Sequence, residues 1–540
     1  MMIYIFHALA LLYTSFLCEN KTNEFSCTIR DGKMQILEQK NGFMLFEGKE
    51  NFDTWLPDSI YSVGGKSRHG TSVIPKSTII PVKNGFDIEI NFKNNGIDTS
   101  SIGEFFIGNF NLDQKVYYRN TNYTFYEDTF FSKNNIQFAS PGRVYPSTTC
   151  YSPVTILRDD KYIVGVTLTY PIEEYKHTAN HMFFGNFFDN AKIGWNMVIQ
   201  INKGTNGQNY YESGELAPGQ RRVYRLHIRV GKVQNIDEDW KQVIQPYREY
   251  FDSKYKQIYK KDNRAVIGYV AVNESKFSRE NPFGYTNRDN EKNMVSHPYR
   301  PDNYGFKPFV EYIKKLSDQK KVKRVMIWTP SGLYQKHFDK NYPYQFASHL
   351  LTIGHSNRQF SKRRNLNNPI VNFRNLSGQI DELGMWWGHA GQVSYAWDDG
   401  VLNPFDIKSG KDWKAAIKEV DAASSMGVTC LGLDSFNEMA GWDQIVWLKE
   451  MNKRSKGKVK FISELYSYDI VHTMAGFMYA EWNCKSQHKL ADYLIPENEK
   501  WMLINKDQQG NNINNYIEQI VKWNYVPCVL AYLNDDFQFE

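Results

Sequence analysis

Hydrophobic and polar positions change rhythm along this chain. From about residue 25 to 235 the apolar positions fall in short alternating or β-branched runs. Examples are Lys33–Glu38, Gly85–Phe92, Lys115–Tyr118, Tyr162–Tyr170, Lys192–Ile201 and Arg222–Val230. Each is bounded by Gly, Asn, Asp or Pro, the punctuation expected between strands. Helical periodicity is nearly absent there, and many short strands with turn signals predict a large all-β sandwich. The stretch from Asp237 to Tyr259 then places its aromatics at helical spacing. It predicts a linker helix that Pro246 should bend or interrupt.

Beyond Arg264 the rhythm becomes strand, loop, helix, repeated, the pattern of parallel strands with crossovers. Eight strands are expected at Ala265–Val272, Lys323–Thr329, Glu382–Gly388, Val428–Asp434, Val459–Glu464, Gly476–Glu481, Ala491–Ile495 and Pro527–Leu533. Helical patterns separate several of them, at Gly305–Ser317, Asp412–Ser425, Gly441–Lys453 and Asn514–Trp523. The segment 265–540 is close to the roughly 250 residues that a (β/α)8 TIM barrel needs. The expected fold is therefore multidomain, an N-terminal β-sandwich (19–236), a linker helix (237–264) and a C-terminal (β/α)8 TIM barrel (265–540). The insertions 274–303 and 353–381 would be loops on the barrel face that carries active sites.

Composition adds compartment and excludes some classes. The chain has 540 residues, too many for one ordinary core. Residues 1–18, MMIYIFHALALLYTSFLC, are an apolar run followed by polar ENKTNEFS, which reads as a secretory signal rather than a spanning helix. No Lys or Arg precedes the run, and no clean A-x-A follows it. A lipoprotein modified at Cys18 is the second reading, with Leu17 where a small residue is expected. The expected location is thus secreted or extracytoplasmic, with no transmembrane helix in the mature chain. Six cysteines (18, 27, 150, 430, 484, 528) form no C-x-x-C and no zinc spacing. Compartment alone permits a Cys27–Cys150 disulfide. Sequons stand at Asn20, Asn122, Asn273 and Asn375. A net charge of +6 is weak over this length, and the only basic clusters are short, such as Lys362-Arg363-Arg364. Nucleic acid is not an expected partner. Dinucleotide, phosphate-loop, H-E-x-x-H and G-x-S-x-G motifs are missing, so no cofactor or metal is indicated.

The chemistry is expected at the C-terminal ends of the barrel strands. GVTCLGLD ends at Asp434, KFISE at Glu464 and GFMYAE at Glu481. Carboxylates are depleted in strands and rarely buried without a partner, so three of them closing three consecutive apolar strands point to function. Glycoside hydrolysis needs such a pair: one carboxylate at the anomeric carbon, and one carboxyl of raised pKa to protonate the leaving oxygen. Asp434 is the candidate nucleophile or stabilising carboxylate, with a helix cap as the plainer alternative. Glu481 is the candidate acid/base and Glu464 its rival. Trp328, Trp386, Trp387, Trp442 and Trp482 lie at or beyond strand ends, where rings stack on sugar faces or pack the core. His389 and His472 could meet hydroxyls. Asp398-Asp399, in AWDDG, could bind sugar hydroxyls or a cation, or simply make a turn.

Sandwich, linker helix and barrel in this order resemble the clan of α-glycosidases that includes the α-galactosidases (melibiases). Leu383-Gly384-Met385-Trp386-Trp387 resembles the family's third-strand segment. Leu431-Gly432-Leu433-Asp434 resembles the nucleophile strand, and Tyr479-Ala480-Glu481-Trp482 the acid/base strand. The resemblance implies a glycosidase with Asp434 as nucleophile and Glu481 as acid/base. The chain departs from the pattern in three places. Gly388-His389 replaces acidic residues, Gly432 stands where a Lys is usual, and Glu481 where an Asp is. A carbohydrate-binding surface protein on a hydrolase-like scaffold is the alternative from another class. A lyase using Tyr466 or His389 as base is a third. The sugar, the anomeric configuration and the oligomeric state stay open.

Overall fold

The structure is a computed structural model. It describes the chain outside residues 1–23, 51–71, 113–114, 120–128, 133–143, 147–150, 176–177, 186–194, 204–213, 236, 271–305, 329–368, 394–402, 465–466, 482–485, 506–511, 532–534, 536, 538 and 540. The expected insertion 274–303 therefore lies outside the described residues, and the one at 353–381 is helical over Pro369–Ser377.

Two antiparallel sheets of seven strands form the sandwich. One runs Phe25–Arg30, Lys33–Glu38, Met44–Lys49, Gly103–Phe110, Trp195–Lys203, Thr178–Gly185, Val144–Tyr145 in spatial order. The other runs Val73–Val82, Gly85–Asn94, Arg221–Lys232, Tyr162–Thr169, Val154–Arg158, Lys115–Arg119, Thr129–Ser132. Period-two alternation makes the core: Phe86, Ile88, Ile90 and Phe92 are buried on one strand, Tyr224, Leu226, Ile228 and Val230 on the next. Phe46 of the first sheet packs on Phe86 of the second, ring centres 6.3 Å apart. Cys27 carries a free thiol, which burial pushes up to about 11, and Cys150, its expected partner, lies outside the described residues.

Tyr162–Thr169 is buried along its whole length, because its outer face is covered as well. The linker covers it. Helix Asp239–Val243 stops at Ile244, and helix Gln245–Lys254 begins with Pro246 in its first turn, where the missing N–H has no helical partner to lose. The interruption expected at Pro246 is thus observed.

Eight parallel strands close into a barrel, Val266–Val270, Arg324–Trp328, Glu382–Trp387, Cys430–Leu433, Lys460–Ser463, Gly476–Ala480, Lys500–Asn505 and Val526–Leu530, the last pairing with the first. Its interior is filled by Met326, Trp328, Trp386, Cys430, Ile462, Met478, Trp501 and Cys528 among others. The expected (β/α)8 TIM barrel is corrected here. The closed barrel is of strands, and the helices around it are few. Those after the fifth and sixth strands are only Asp469–His472 and Lys489–Leu494, and none follows the eighth among the described residues. The reason is packing. On that side the sandwich and the linker take the place of long helices: Tyr151 packs on His472 and His488, and Trp240 on Tyr493. The seventh strand is also corrected, from Ala491–Ile495 to Lys500–Asn505. Residues 489–494 are helical, with the His488 ring accepting the Ala491 N–H at the start and Leu490, Ala491 and Leu494 buried. A short apolar run does not reveal its period.

The N-terminal end of the barrel is plugged by charge. Arg324 donates to Glu382 (2.9 Å) and to Glu499, and Lys460 reaches Glu382 (2.7 Å) and Glu499 (2.9 Å). The Trp501 indole also donates to Glu499 (2.6 Å). Burial alone would raise Glu499, but the Lys460 and Arg324 cations outweigh it and hold the carboxyl below the usual range. A buried network of this kind is costly to break by halves. Arg324→Ala is expected to lower stability by about 3–5 kcal/mol, read from the urea midpoint of tryptophan fluorescence. A loss under about 1 kcal/mol would show that these charges behave as an exposed pair and do not hold the barrel end.

Candidate functional site

With one end plugged, the opposite end is where the strand-terminal carboxylates stand. Asp434 follows the fourth strand, Glu464 the fifth and Glu481 the sixth. Asp434 is held by both backbone and side chain. Its N–H bonds the Trp387 carbonyl (3.0 Å) and its carbonyl accepts from Ala390 N–H (2.9 Å). The Trp386 indole lowers its carboxyl, against the rise that burial causes. Ser435, the next residue, has φ of 55°, a left-handed conformation uncommon for a side chain of this kind. Its N–H faces Asp434 Oδ1 (2.9 Å) and Glu464 Oε2 (3.0 Å) together.

One donor shared by two carboxyls limits how far apart the two facing oxygens can lie. The two oxygens cannot be further apart than both contacts laid end to end, about 6 Å. That bound lies near the roughly 5–5.5 Å of retaining glycosidases and below the ~6.5–9.5 Å of inverting ones. Burial pushes both carboxyls above the ordinary carboxylate range. For Glu464 the neighbouring Asp434 charge adds to the burial. Two such groups cannot both ionise cheaply, so over the neutral range they tend to share a proton.

Asp434 does not cap a helix. A 3-10 turn, Phe436–Glu438, follows Ser435, and an α-helix begins at Gly441 after Ala440, neither with a side-chain cap. The Gly432 departure also has a physical reason. A Cβ at Gly432 would sit 1.8 Å from the Trp386 ring, so the indole occupies the space that any larger residue would need. Trp386 in turn stacks on Trp328 (5.4 Å, 28°), and both belong to the barrel interior.

The other expected residues divide. Glu481 is buried, and its Oε1 accepts the Asn505 N–H (2.9 Å) at the end of the seventh strand. Trp387 points away from Trp386, outward into the layer around Trp447 (5.7 Å). His389 is fully buried behind the strand, 3.6 Å from Glu419, and burial pulls it down to about 4. Trp442 is buried on the first turn of its helix. His472 stacks on Phe477 (3.7 Å) and meets the Tyr151 hydroxyl (3.0 Å), at the junction with the sandwich. Asp398, Asp399, Trp482 and Tyr466 lie outside the described residues. Among the described residues, no group of three or more His, Cys, Asp and Glu side chains is placed to hold a metal ion. Nor is any described helix long and apolar enough to cross a membrane. Sequence reasoning missed the Ser435 N–H, which leaves no trace in residue type. It also missed Asp469, a carboxylate inside an apolar run that carries the same signal as the other three.

No family model matches the chain, and no curated protein does. Among solved structures it is similar to a beta-arabinopyranosidase, at 11% identity and TM-score 0.38, over 84% of this chain and 68% of that one. A cyclic alpha-maltosyl-(1→6)-maltose hydrolase from Arthrobacter globiformis gives 10% and 0.31, over 51% and 75%. A putative aldose 1-epimerase from Escherichia coli K12 gives 10% and 0.21, over 39% and 69%. The structural neighbours thus include glycoside hydrolases and aldose epimerase-like proteins. None reaches a TM-score of 0.5, and the roles assigned below come from the site's own geometry.

Both carboxyls have raised folded-state pKa values, which sets the sign of a stability test. As pH rises from about 4, the unfolded carboxyls ionise first and stability falls until the folded groups ionise too. Asp434→Asn keeps an oxygen acceptor but does not titrate. It is expected to be more stable than the parent by on the order of 2 kcal/mol at neutral pH, with the difference vanishing towards pH 4. Thermal unfolding across that range checks this, and a pH-independent difference would remove the buried-charge account.

Proposed function

We propose that the chain is a glycoside hydrolase whose reacting pair is Asp434 and Glu464. The observation that carries this is the single Ser435 N–H that both carboxyls face, at the C-terminal end of the barrel strands. One proton shared by such a pair supplies a nucleophile and an acid at once. In the first step Asp434 forms a bond to the anomeric carbon as the glycosidic C–O bond breaks. The leaving oxygen takes the proton from Glu464. In the second, water attacks the same carbon, its proton returns to Glu464 and Asp434 leaves. The short separation favours this retaining course over inversion. The N-terminal apolar run would send the activity outside the cytoplasm.

A panel of aryl glycosides and natural glycans tests the reading. Asp434→Asn is expected to lose on the order of 10⁴-fold in kcat/KM. Glu464→Gln should lose about 10²–10⁴-fold, most on poor leaving groups and least on activated ones. If Glu481→Gln shows that leaving-group pattern instead, the acid role passes to Glu481. A parent protein that binds glycans but releases no product, with binding unchanged in Asp434→Asn, would favour the carbohydrate-binding alternative.

The pH profile offers a separate check. Activity needs one carboxyl ionised and the other protonated, and both titrate high. The acid limb of kcat/KM is therefore expected well above the ordinary Asp value of about 3.9. A plateau reaching down to pH 4 would contradict the shared-proton pair.

A further inference from the structure

The sandwich touches both loops that follow the paired carboxylates. Beyond Asp434, the chain enters a helix at Gly441, and Pro146 of the sandwich lies directly against it. A Cβ on Gly441 would come within 2.7 Å of the Pro146 carbonyl oxygen. Beyond Glu464, Ser467 donates to Ser463 Oγ (2.9 Å) and the Glu464 carbonyl (3.2 Å). Tyr468 then donates to the Gly441 carbonyl, joining the two loops, and packs edge-on against Tyr145 (5.7 Å).

Asp469 completes the brace. It is fully buried, and its N–H bonds the Tyr151 carbonyl (2.9 Å). Tyr145 of the sandwich donates to Oδ1 (2.8 Å) and Tyr247 of the linker to Oδ2 (2.5 Å). Burial raises the Asp469 carboxyl, to about 7, with the two phenols opposing the rise. Apolar side chains of similar volume often join buried surfaces without loss of stability. A buried carboxyl with aimed donors instead selects one geometry.

We propose that Tyr145, Pro146 and Asp469 are positioning residues: the sandwich, through them, sets the placement of Glu464 against Asp434. The barrel alone would not hold the pair. The kinetic readout of this proposal rests on the hydrolytic reading, while its titration readout does not.

The test uses the full chain carrying Tyr145→Phe, which removes one donor and little volume. pH-difference infrared spectra follow the carboxyl bands, assigned with Asp434→Asn and Glu464→Gln. The pair's titration is expected to move by at least about half a pH unit. On any glycoside that is turned over, kcat should fall about 10–100-fold with KM changed less than about threefold. Unchanged titration and kcat, with only a lower melting temperature, would overturn the proposal and leave a structural brace. If Tyr145→Phe does not fold, Asp469→Asn, isosteric and retaining one acceptor, is read by the same two outcomes. If the parent hydrolyses nothing, the hydrolytic reading fails, and the infrared titration still decides this one.

Discussion

Two carboxyls beside one N–H, Asp434 buried and Glu464 half-buried, are the constraint around which the rest is arranged. Burying a carboxylate is unfavourable, and burying two like charges within about 6 Å is more so. Ser435 accepts a left-handed backbone to direct its N–H at both, and the Trp386 indole lowers the Asp434 carboxyl against its burial. Gly432 gives up a side chain so that the indole can lie there. Each of these makes sense only if the carboxyl pair is what must be kept. Strain and poor solvation concentrated at one place are the usual marks of a working site.

The two barrel ends solve opposite electrostatic problems. At the plugged end Glu382 and Glu499 face Arg324 and Lys460, so opposite charges offset the burial of each. The Glu499 carboxyl accordingly lies below its ordinary range. At the C-terminal end, the nearest charges to Glu464 among the described residues are other carboxylates, and its carboxyl lies above it. The same side-chain chemistry therefore gives a structural ion at one end and an exchangeable proton at the other.

The sandwich and the barrel are not merely adjacent. Tyr145, Tyr151 and Tyr247 converge on the segment after the fifth strand, where a long helix would otherwise cover the barrel. Replacing a helix with another part of the chain couples that part to whatever the neighbouring strand carries. Here the neighbouring strand carries Glu464. Three of the chain's tyrosines thus serve the junction between sandwich, linker and barrel.

Much was legible in the sequence because it depends on periods and end positions. Period-two alternation marked the sandwich strands, and apolar runs closed by a carboxylate marked Asp434, Glu464 and Glu481 as strand ends. The helix interruption at Pro246 followed from the missing N–H. Other features depended on which way neighbouring residues point and on what lies across space. Trp386 and Trp387 are identical letters, yet one enters the barrel and the other leaves it, because strand neighbours face opposite sides. His389 had the chemistry for a hydroxyl contact but packs behind its strand against Glu419. The run 491–495 became helix, since a short apolar segment carries no period of its own. The sequence alone determined which residue types stand at the strand ends. Tertiary structure alone decided which two of them face one N–H, because that depends on a backbone conformation and a distance, neither of which is written in residue type.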